Sequence, residues 1–352
     1  MKNPFRYGEV VEQVNFCNRE EELKEIDKAI RNRYSFWLYS PRRFGKTSLI
    51  LKAFNEINDI KTIYFDLYNI QSIDDFTKKY AQLLAHNLFD WKEDLKALSR
   101  KFNQYFSRLL PKITVDSSGN PSFSIETQSI DEQADLETIL NIPEKIAFKT
   151  KQQICIAFDE FQEIIRFGPF LINWMRSAFQ LQKKISYIFI GSKQSLMESI
   201  FTDSNSPLYE FGFKMDINPI SHNELSKYIK KRFAATNLKI SDKNIDLILK
   251  KSDCHPHFTQ FFSSIVWELI NEGIDQNRKD FTHKWLSKII RSQSIIFQNI
   301  YDQLSNNQRI VLKAIALIQD GDELFSAKIR DTYQLPVSST LTISLKGLIK
   351  KA

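Results

Sequence analysis

The sequence predicts an α/β fold: a parallel sheet with helices on both faces, followed by an all-helical half. Three observations support this. Apolar runs of strand length alternate with helical patterns through residues 1–220, as parallel strands joined by crossover helices require. From Ser221 onward only helical patterns occur. One strand-to-helix junction holds Ser40-x-x-x-x-Gly45-Lys46-Thr47, the phosphate-binding pattern G-x-x-x-x-G-K-[ST] with Ser in place of the first Gly.

In chain order, Asn3-Pro4-Phe5-x-Tyr7-Gly8 reads as an extended, turn-rich opening, since Pro and Gly both oppose helix. Asn18 is the expected N-cap of a helix from Arg19 to Ile30, with Glu20, Glu21 and Glu22 at its positive end. A buried strand over Tyr34 to Tyr39 breaks at Ser40-Pro41, and a helix starts near Lys46. Lys61 to Tyr68 is the second strand. A helical region follows from Ile73 to about Leu110, then a hairpin over Ile113 to Glu126, then a helix from Asp131 to Lys149.

The third and fourth strands are Ile154 to Phe158 and Ile185 to Ile190, each followed by polar residues and a helix. A short strand near Phe213 to Ile217 leads into Pro219. Beyond it, three short helices over Ser305–Gln319, Ser326–Gln334 and Val337–Lys350 are set apart by Gly321 and Pro336. The expected domains are a core over 1–220 with an insertion at about 70–150, a helical domain over 221–285, and a helix-turn-helix module of winged-helix type over 286–352 without a full wing.

The chemistry concentrates at the strand ends. Backbone N–H groups of a loop, with the N-terminus of the helix behind it, make a concave positive site for phosphate. Ser40, Pro41, Arg42, Arg43, Phe44, Gly45, Lys46, Thr47 and Ser48 are the expected nucleotide contacts. Lys46 would bridge the β- and γ-phosphates of ATP, Thr47 would hold Mg²⁺, and Gly45 leaves room for the backbone to approach the anion. The third strand ends in Asp159-Glu160. There Asp159 would hold the water shell of Mg²⁺, and Glu160 would polarise the attacking water. The alternative is that both acids cap the helix FQEIIRF. Ser192, after the fourth strand, reads equally as a contact to the γ-phosphate or attacking water and as an ordinary N-cap.

Composition narrows the class. A chain of 352 residues holds two or three domains. Its three scattered cysteines form neither a disulfide framework nor a metal cluster. No apolar run reaches membrane-spanning length and the N-terminus lacks a signal-peptide core, so a cytoplasmic protein is expected. Residues 1–220 hold 29 Lys and Arg against 29 Asp and Glu, residues 221–280 hold 10 against 8, and residues 281–352 hold 10 against 5. The net charge of +7 therefore lies in the C-terminal part. A basic end on a neutral core suggests an acidic partner, nucleic acid first; a solvated basic surface is the alternative.

Seven motifs occur in a family's order. They are Asn3-Pro4-Phe5, Phe16-Cys17-Asn18-Arg19-x-x-Glu22, the loop Ser40 to Thr47, Phe158-Asp159-Glu160, Gly191-Ser192-x-x-Ser195-Leu196-Met197, Ser206-Pro207-Leu208-Tyr209 and His255-Pro256. With them the chain resembles the archaeal-type ATPases of the STAND class of P-loop NTPases, relatives of AAA+ and origin-recognition ATPases. The resemblance implies a core ATPase domain, a helical lid, a winged helix, and use of ATP and ADP with Mg²⁺. It also implies that Phe16 to Arg19 lie near base and ribose, and that His255 and Pro256 face the nucleotide from the lid. From the residues alone, His255-Pro256 would be a helix-start turn.

Two departures stand out. Where the family carries Gly-Arg after Tyr209, this chain has Glu210-Phe211-Gly212-Phe213-Lys214, so an arginine finger there is missing. Lys214 lacks the planar fork of Arg; Arg166 and Arg176, whose expected role is a helix-surface salt bridge, are the alternatives within the chain, and a protein partner or second subunit is the alternative outside it. Cys254 stands where the family has Gly. In the last helix Ser338, Ser339, Thr340 and Thr342 are placed to reach base edges and Lys346, Lys350 and Lys351 to meet phosphates, while Leu341, Leu345, Leu348 and Ile349 form a core face. Contact with another protein is the alternative use of that helix. The expected activity is a slow, Mg²⁺-dependent ATPase acting as a switch; a DNA-binding regulator with a structural nucleotide is the rival.

Overall fold

The computed structural model describes residues 1–9, 16–89, 95–106, 111–115, 121–125, 132–318 and 323–351. The chain divides into two compact units, Met1–Glu272 and Gly273–Ala352.

The first unit begins with α1 (Glu20–Arg31), β1 (Phe36–Tyr39), α2 (Lys46–Glu56), β2 (Lys61–Asp66), α3 (Ile73–Leu88) and α4 (Leu95–Phe106). There follow the hairpin β3 (Pro111–Val115) and β4 (Pro121–Ile125), then α5 (Glu132–Thr150), β5 (Ile154–Asp159), α6 (Pro169–Phe179), β6 (Ile185–Gly191), α7 (Gln194–Phe201) and β7 (Phe213–Lys214). Three helices complete it: α8 (His222–Ala234), α9 (Asp242–Ser252) and α10 (Pro256–Asn271).

Five strands form one parallel sheet in the order β2-β5-β6-β1-β7. The central strands β5 and β6 are buried at every position, which is why their sequences are unbroken apolar runs. Side-chain alternation splits the core. Trp37, Ile63, Phe65, Ile156, Phe158 and Phe189 point to the face covered by α3, α5 and α6. Phe36, Leu38, Cys155, Ala157, Ile188 and Ile190 point to the face covered by α1 and α2. Much of the chain's Phe content sits on the first face, where Phe158 stacks on Phe189 with ring centroids 6.0 Å apart and planes within 9°. The register pairs Asp66 with Asp159 and Tyr39 with Gly191, so four strand ends come level along one edge. In an open parallel sheet that edge is where ligands bind.

Three local expectations are corrected. The N-cap of α1 is Arg19, not Asn18; both residues are left-handed, at φ 74° and 50°, and no side chain caps the helix. The guanidinium of Arg19 is drawn instead to Asn218 O at 2.6 Å and Glu22 at 2.9 Å, which fixes its backbone. The helical region expected from Ile73 to Leu110 is two helices, α3 and α4; residues 90–94 and 107–110, like the hairpin tip at 117–120, lie outside the described residues. FQEIIRF is a 3₁₀ segment over Phe161–Phe167, ended by Gly168 and by Pro169 at the start of α6, and no side chain caps it.

The second unit contains α11 (Phe281–Ser292), α12 (Ser294–Asp302), α13 (Asn306–Leu317), α14 (Ala327–Thr332) and α15 (Ser338–Lys351). The expected boundary at 285 thus falls inside α11. Ser305 and Gln308 form a capping box at α13, and Ser326 caps α14. Helix α13 packs on α15, and Val311, Ala314 and Leu341 are buried. Ile349, expected on that core face, is exposed. Ser338, Ser339, Thr342 and Lys346 are exposed, and Ser338 Oγ accepts from Arg330 at 3.2 Å. No described helix is long and apolar enough to cross a membrane.

Candidate functional site

A cleft of about 500 Å³ opens in the first unit above the strand ends. One end is the loop between β1 and α2, where Arg42, Arg43, Phe44, Gly45, Lys46, Thr47 and Ser48 all line the wall. The loop turns through left-handed conformations at Arg43 (φ 62°) and Gly45 (φ 89°). Nothing would touch a Cβ on Gly45, so it is the backbone angle that calls for glycine there. Gly45 is also the N-cap position of α2, which aims the positive end of that helix at the loop.

Lys46 is buried and folds back on its own loop, donating to Ser40 O at 2.6 Å and Pro41 O at 3.0 Å. Burial lowers its pKa, and the charges of Asp159 and Glu160 oppose that shift. Ser40 and Pro41 therefore anchor the lysine by their carbonyls and do not line the cleft.

Behind the loop, Thr47 Oγ1 donates to Asp159 Oδ2 at 2.6 Å, and the hydroxyl of Tyr64 donates to the same oxygen at 2.6 Å. The other oxygen, Oδ1, accepts from the backbone N–H of Glu160 at 2.8 Å. Burial first, and then the charge of Asp159, hold the Tyr64 hydroxyl in its protonated form well above the usual tyrosine range. Both carboxylate oxygens are thus fixed in direction.

Glu160 lines the cleft in a left-handed conformation, φ 50°. A non-glycine residue there is strained, and such strain persists where surrounding contacts impose it. The contacts here are Ser192 Oγ, which donates to Glu160 Oε2 at 2.7 Å, and the amide of Gln162, which donates to the same oxygen. Gln162 is 2% exposed, and its own carbonyl oxygen accepts from Ser192 N at 3.2 Å. The N-cap position of α7 is Lys193, so Ser192 is not that cap; its hydroxyl is committed to Glu160. Gly191 makes this approach possible, because a Cβ there would collide with Met197 and crowd Gln162 Oε1 at 2.8 Å.

The other end of the cleft is apolar. Phe16 comes from the segment before α1, and Ile220, Leu225, Tyr228 and Pro256 from the helical half of the unit. Arg19 lines the wall while tied to Glu22 and Asn218, with its guanidinium 5.6 Å from the Phe44 ring centre. His255 does not line the cleft; it packs edge-on to Phe44 with centroids 5.5 Å apart. The histidine on the wall is His257, whose Nε2 is 3.3 Å from Arg43 Nη1. Burial first, with Arg43 and His255 nearby, lowers the pKa of His257 to about 4. Cys254, at φ 53°, holds the left-handed backbone that a glycine would take without strain. Cys17 also lines the cleft, with its thiol pushed up to about 12 mainly by burial.

Tyr64, Gln162, His257 and the N-terminal residues Arg6, Tyr7, Gly8 and Glu9 belong to the site without having been singled out in sequence. The three cations weighed as substitutes for an arginine finger have other partners. Arg166 donates to Ile70 O at 2.6 Å and pairs with Glu163, as expected of a surface salt bridge. Arg176 instead lies 5.2 Å from the Phe211 ring centre, and Lys214 pairs with Asp216 at 2.9 Å. Among the described residues no cluster of three or more His, Cys, Asp or Glu forms a metal site.

A family model described as an ATPase domain predominantly from Archaea matches residues 16–258, and a model of a probable winged helix domain matches residues 295–352. Among solved structures the chain is similar to a Walker-type ATPase of Pyrococcus abyssi, at 19% identity and a TM-score of 0.62, over 96% of this chain and 90% of that one. It is also similar to the ORC2 protein of Aeropyrum pernix in its ADPNP–ADP complexes, at 14% identity and a TM-score of 0.53, over 99% and 90% of the two chains. At these identities the likeness shows a P-loop ATPase fold. No curated protein matches the chain. With the family model spanning most of its length, the chain belongs to the ATPase domains found predominantly in Archaea.

Proposed function

We propose that the protein is a Mg²⁺-dependent ATPase of the STAND type, a cytoplasmic switch that binds ATP tightly and hydrolyses it slowly. The observation behind this reading is that Thr47, Asp159, Glu160 and Ser192 are joined by hydrogen bonds of 2.6 to 2.8 Å at the level strand ends, beside a Lys46 that is held by its own loop carbonyls. Lys46 would exchange its loop carbonyls for the β- and γ-phosphate oxygens, with loop N–H groups and the α2 N-terminus supplying further donors. Glu160 would accept a proton from the attacking water, held in direction by Ser192 and Gln162.

The donor set suits Mg²⁺: a hydroxyl and a carboxylate oxygen, both hard ligands, converge beside the phosphate loop. Thr47 would bind the ion directly and Asp159 would hold its water shell, with Tyr64 keeping the carboxylate aimed. When bound, the ion neutralises charge on the phosphate oxygens. The ADPNP–ADP complexes of the Aeropyrum pernix neighbour agree with ATP and ADP as ligands here. Because the cleft lies between the sheet core and α8–α10, ATP and ADP would favour different packings of the two.

A second reading has support in the charge. The whole excess of +7 lies beyond residue 220, and the second unit matches a winged-helix model, which favours a DNA-binding regulator with a structural nucleotide. Steady-state ATPase rate with and without duplex DNA separates the readings: turnover abolished in Lys46→Ala supports the switch, whereas no turnover but tight DNA binding supports the rival. If DNA is bound mainly through phosphates, affinity falls steeply with salt and Lys346→Glu flattens the slope.

A further inference from the structure

Asn3-Pro4-Phe5 has no role in the phosphate chemistry, yet three contacts tie this segment to the helical half of the first unit. The Asn3 side-chain amide donates to Ser264 O at 3.1 Å and Ser264 Oγ at 2.9 Å on α10, while Asn3 Oδ1 accepts from Phe5 N at 3.1 Å. Pro4 O accepts from Arg232 of α8. Phe5 is buried, with its ring 5.4 Å from that of Phe233 and 6.5 Å from that of Tyr228.

So held, the segment reaches the wall of the cleft. Arg6, Tyr7, Gly8 and Glu9 line the wall. The Tyr7 ring packs against His257 and Phe261 of α10, at 6.1 and 5.0 Å, yet stays 45% exposed. An aromatic ring packed against α10 yet half exposed, on the wall of a cleft that also carries phosphate donors, offers a surface for stacking. Phe16 lines the same cleft and packs on the sheet core. The cleft wall therefore carries Phe16 from the core side, and Tyr228 of the helical half together with Tyr7, which is anchored to that half.

We propose that residues 3–9 are a strap belonging to the helical half, and that Tyr7 is the face on which the base of a purine nucleotide stacks. This rests on the reading of the cleft as a nucleotide site. The flat, polarisable purine gains most from such a ring, whereas the phosphate chain gains nothing from it. Asn3, Pro4 and Phe5 are the anchor that places Tyr7, and a base stacked between strap and core links the two halves of the unit.

The test compares two probes, ATP and inorganic tripolyphosphate, on the full chain by calorimetry. Tyr7→Ala should weaken ATP binding about tenfold to a hundredfold and leave tripolyphosphate binding within about twofold; Tyr7→Phe should bind both as wild type does. An unchanged melting temperature in Tyr7→Ala, expected for a half-exposed side chain, separates lost stacking from lost structure. Unaltered ATP affinity in Tyr7→Ala, or an equal loss for both probes, would overturn the strap while leaving the nucleotide site standing. Wild-type protein that binds neither probe would overturn the nucleotide reading and the strap together.

Discussion

Ser192 Oγ lies 2.7 Å from Glu160 Oε2, and the buried amide of Gln162 bonds the same carboxylate oxygen. Glu160 is therefore held by two neutral donors, one from the end of β6 and one from the turn after β5. If it is the general base, Glu160→Gln keeps the shape and loses the basicity. Nucleotide affinity should stay within about twofold while kcat falls roughly 10²- to 10⁴-fold. Gln162→Leu should act through Glu160: kcat falls about tenfold while ATP affinity holds, and Gln162→Asn recovers part of the rate. An unchanged kcat in Gln162→Leu would leave Gln162 a packing residue only.

Lys46 bonds two carbonyls of its own loop, so its ammonium is held beside the place where phosphate would arrive. Lys46→Ala removes that cation, and Mg·ATP affinity should fall at least about tenfold by calorimetry. Wild-type affinity in this variant would refute the whole assignment of the site.

The parts of the fold with a sequence period were legible. Strands β5 and β6 announce themselves as unbroken apolar runs, and the polar residues at their carboxyl ends, Asp159, Glu160 and Ser192, meet at the candidate site. What was not legible depends on contacts far apart in sequence. Tyr64 reads as one more aromatic in a strand, and only the register of β2 against β5 brings its hydroxyl to Asp159. Arg19 reaches Asn218 across 199 residues, and that contact displaced the expected cap of α1. His255 and His257 flank Pro256 alike in sequence; the direction in which α10 starts turns one to Phe44 and the other to the cleft.

The low pKa of His257 sets a pH dependence. Its folded value, about 4, lies below the ordinary histidine value of 6.5, so the unfolded chain binds the extra proton between those limits. Its contribution to stability is present in full above pH 6.5 and is lost as pH falls toward 4. His257→Gln cannot titrate, so the difference in melting temperature between wild type and variant should shrink or change sign across that window. A pH-independent difference would mean that the imidazole stays accessible to protons in the fold.

The last expectation concerns the missing arginine. Charge builds on the phosphoryl oxygens in the transition state, and a well-placed Arg is worth roughly 10³- to 10⁵-fold in rate. After Tyr209 this chain has Glu210, at φ 53°, where the related family has Gly. Lys214 is paired with Asp216, and Arg166 and Arg176 are held by Ile70 O with Glu163 and by the Phe211 ring. Arg19, although on the cleft wall, is fixed by Glu22 and Asn218. Basal turnover should therefore lie well below the ~1 s⁻¹ floor of typical enzymes, and Arg166→Ala or Arg176→Ala should leave it within about twofold. Specific activity should rise with protein concentration, or on adding a partner, if a second molecule brings an Arg into the site. Fast turnover that is independent of concentration in a dilute monomer would contradict this, and would place the catalytic cation on the loop itself, at Arg42 or Arg43.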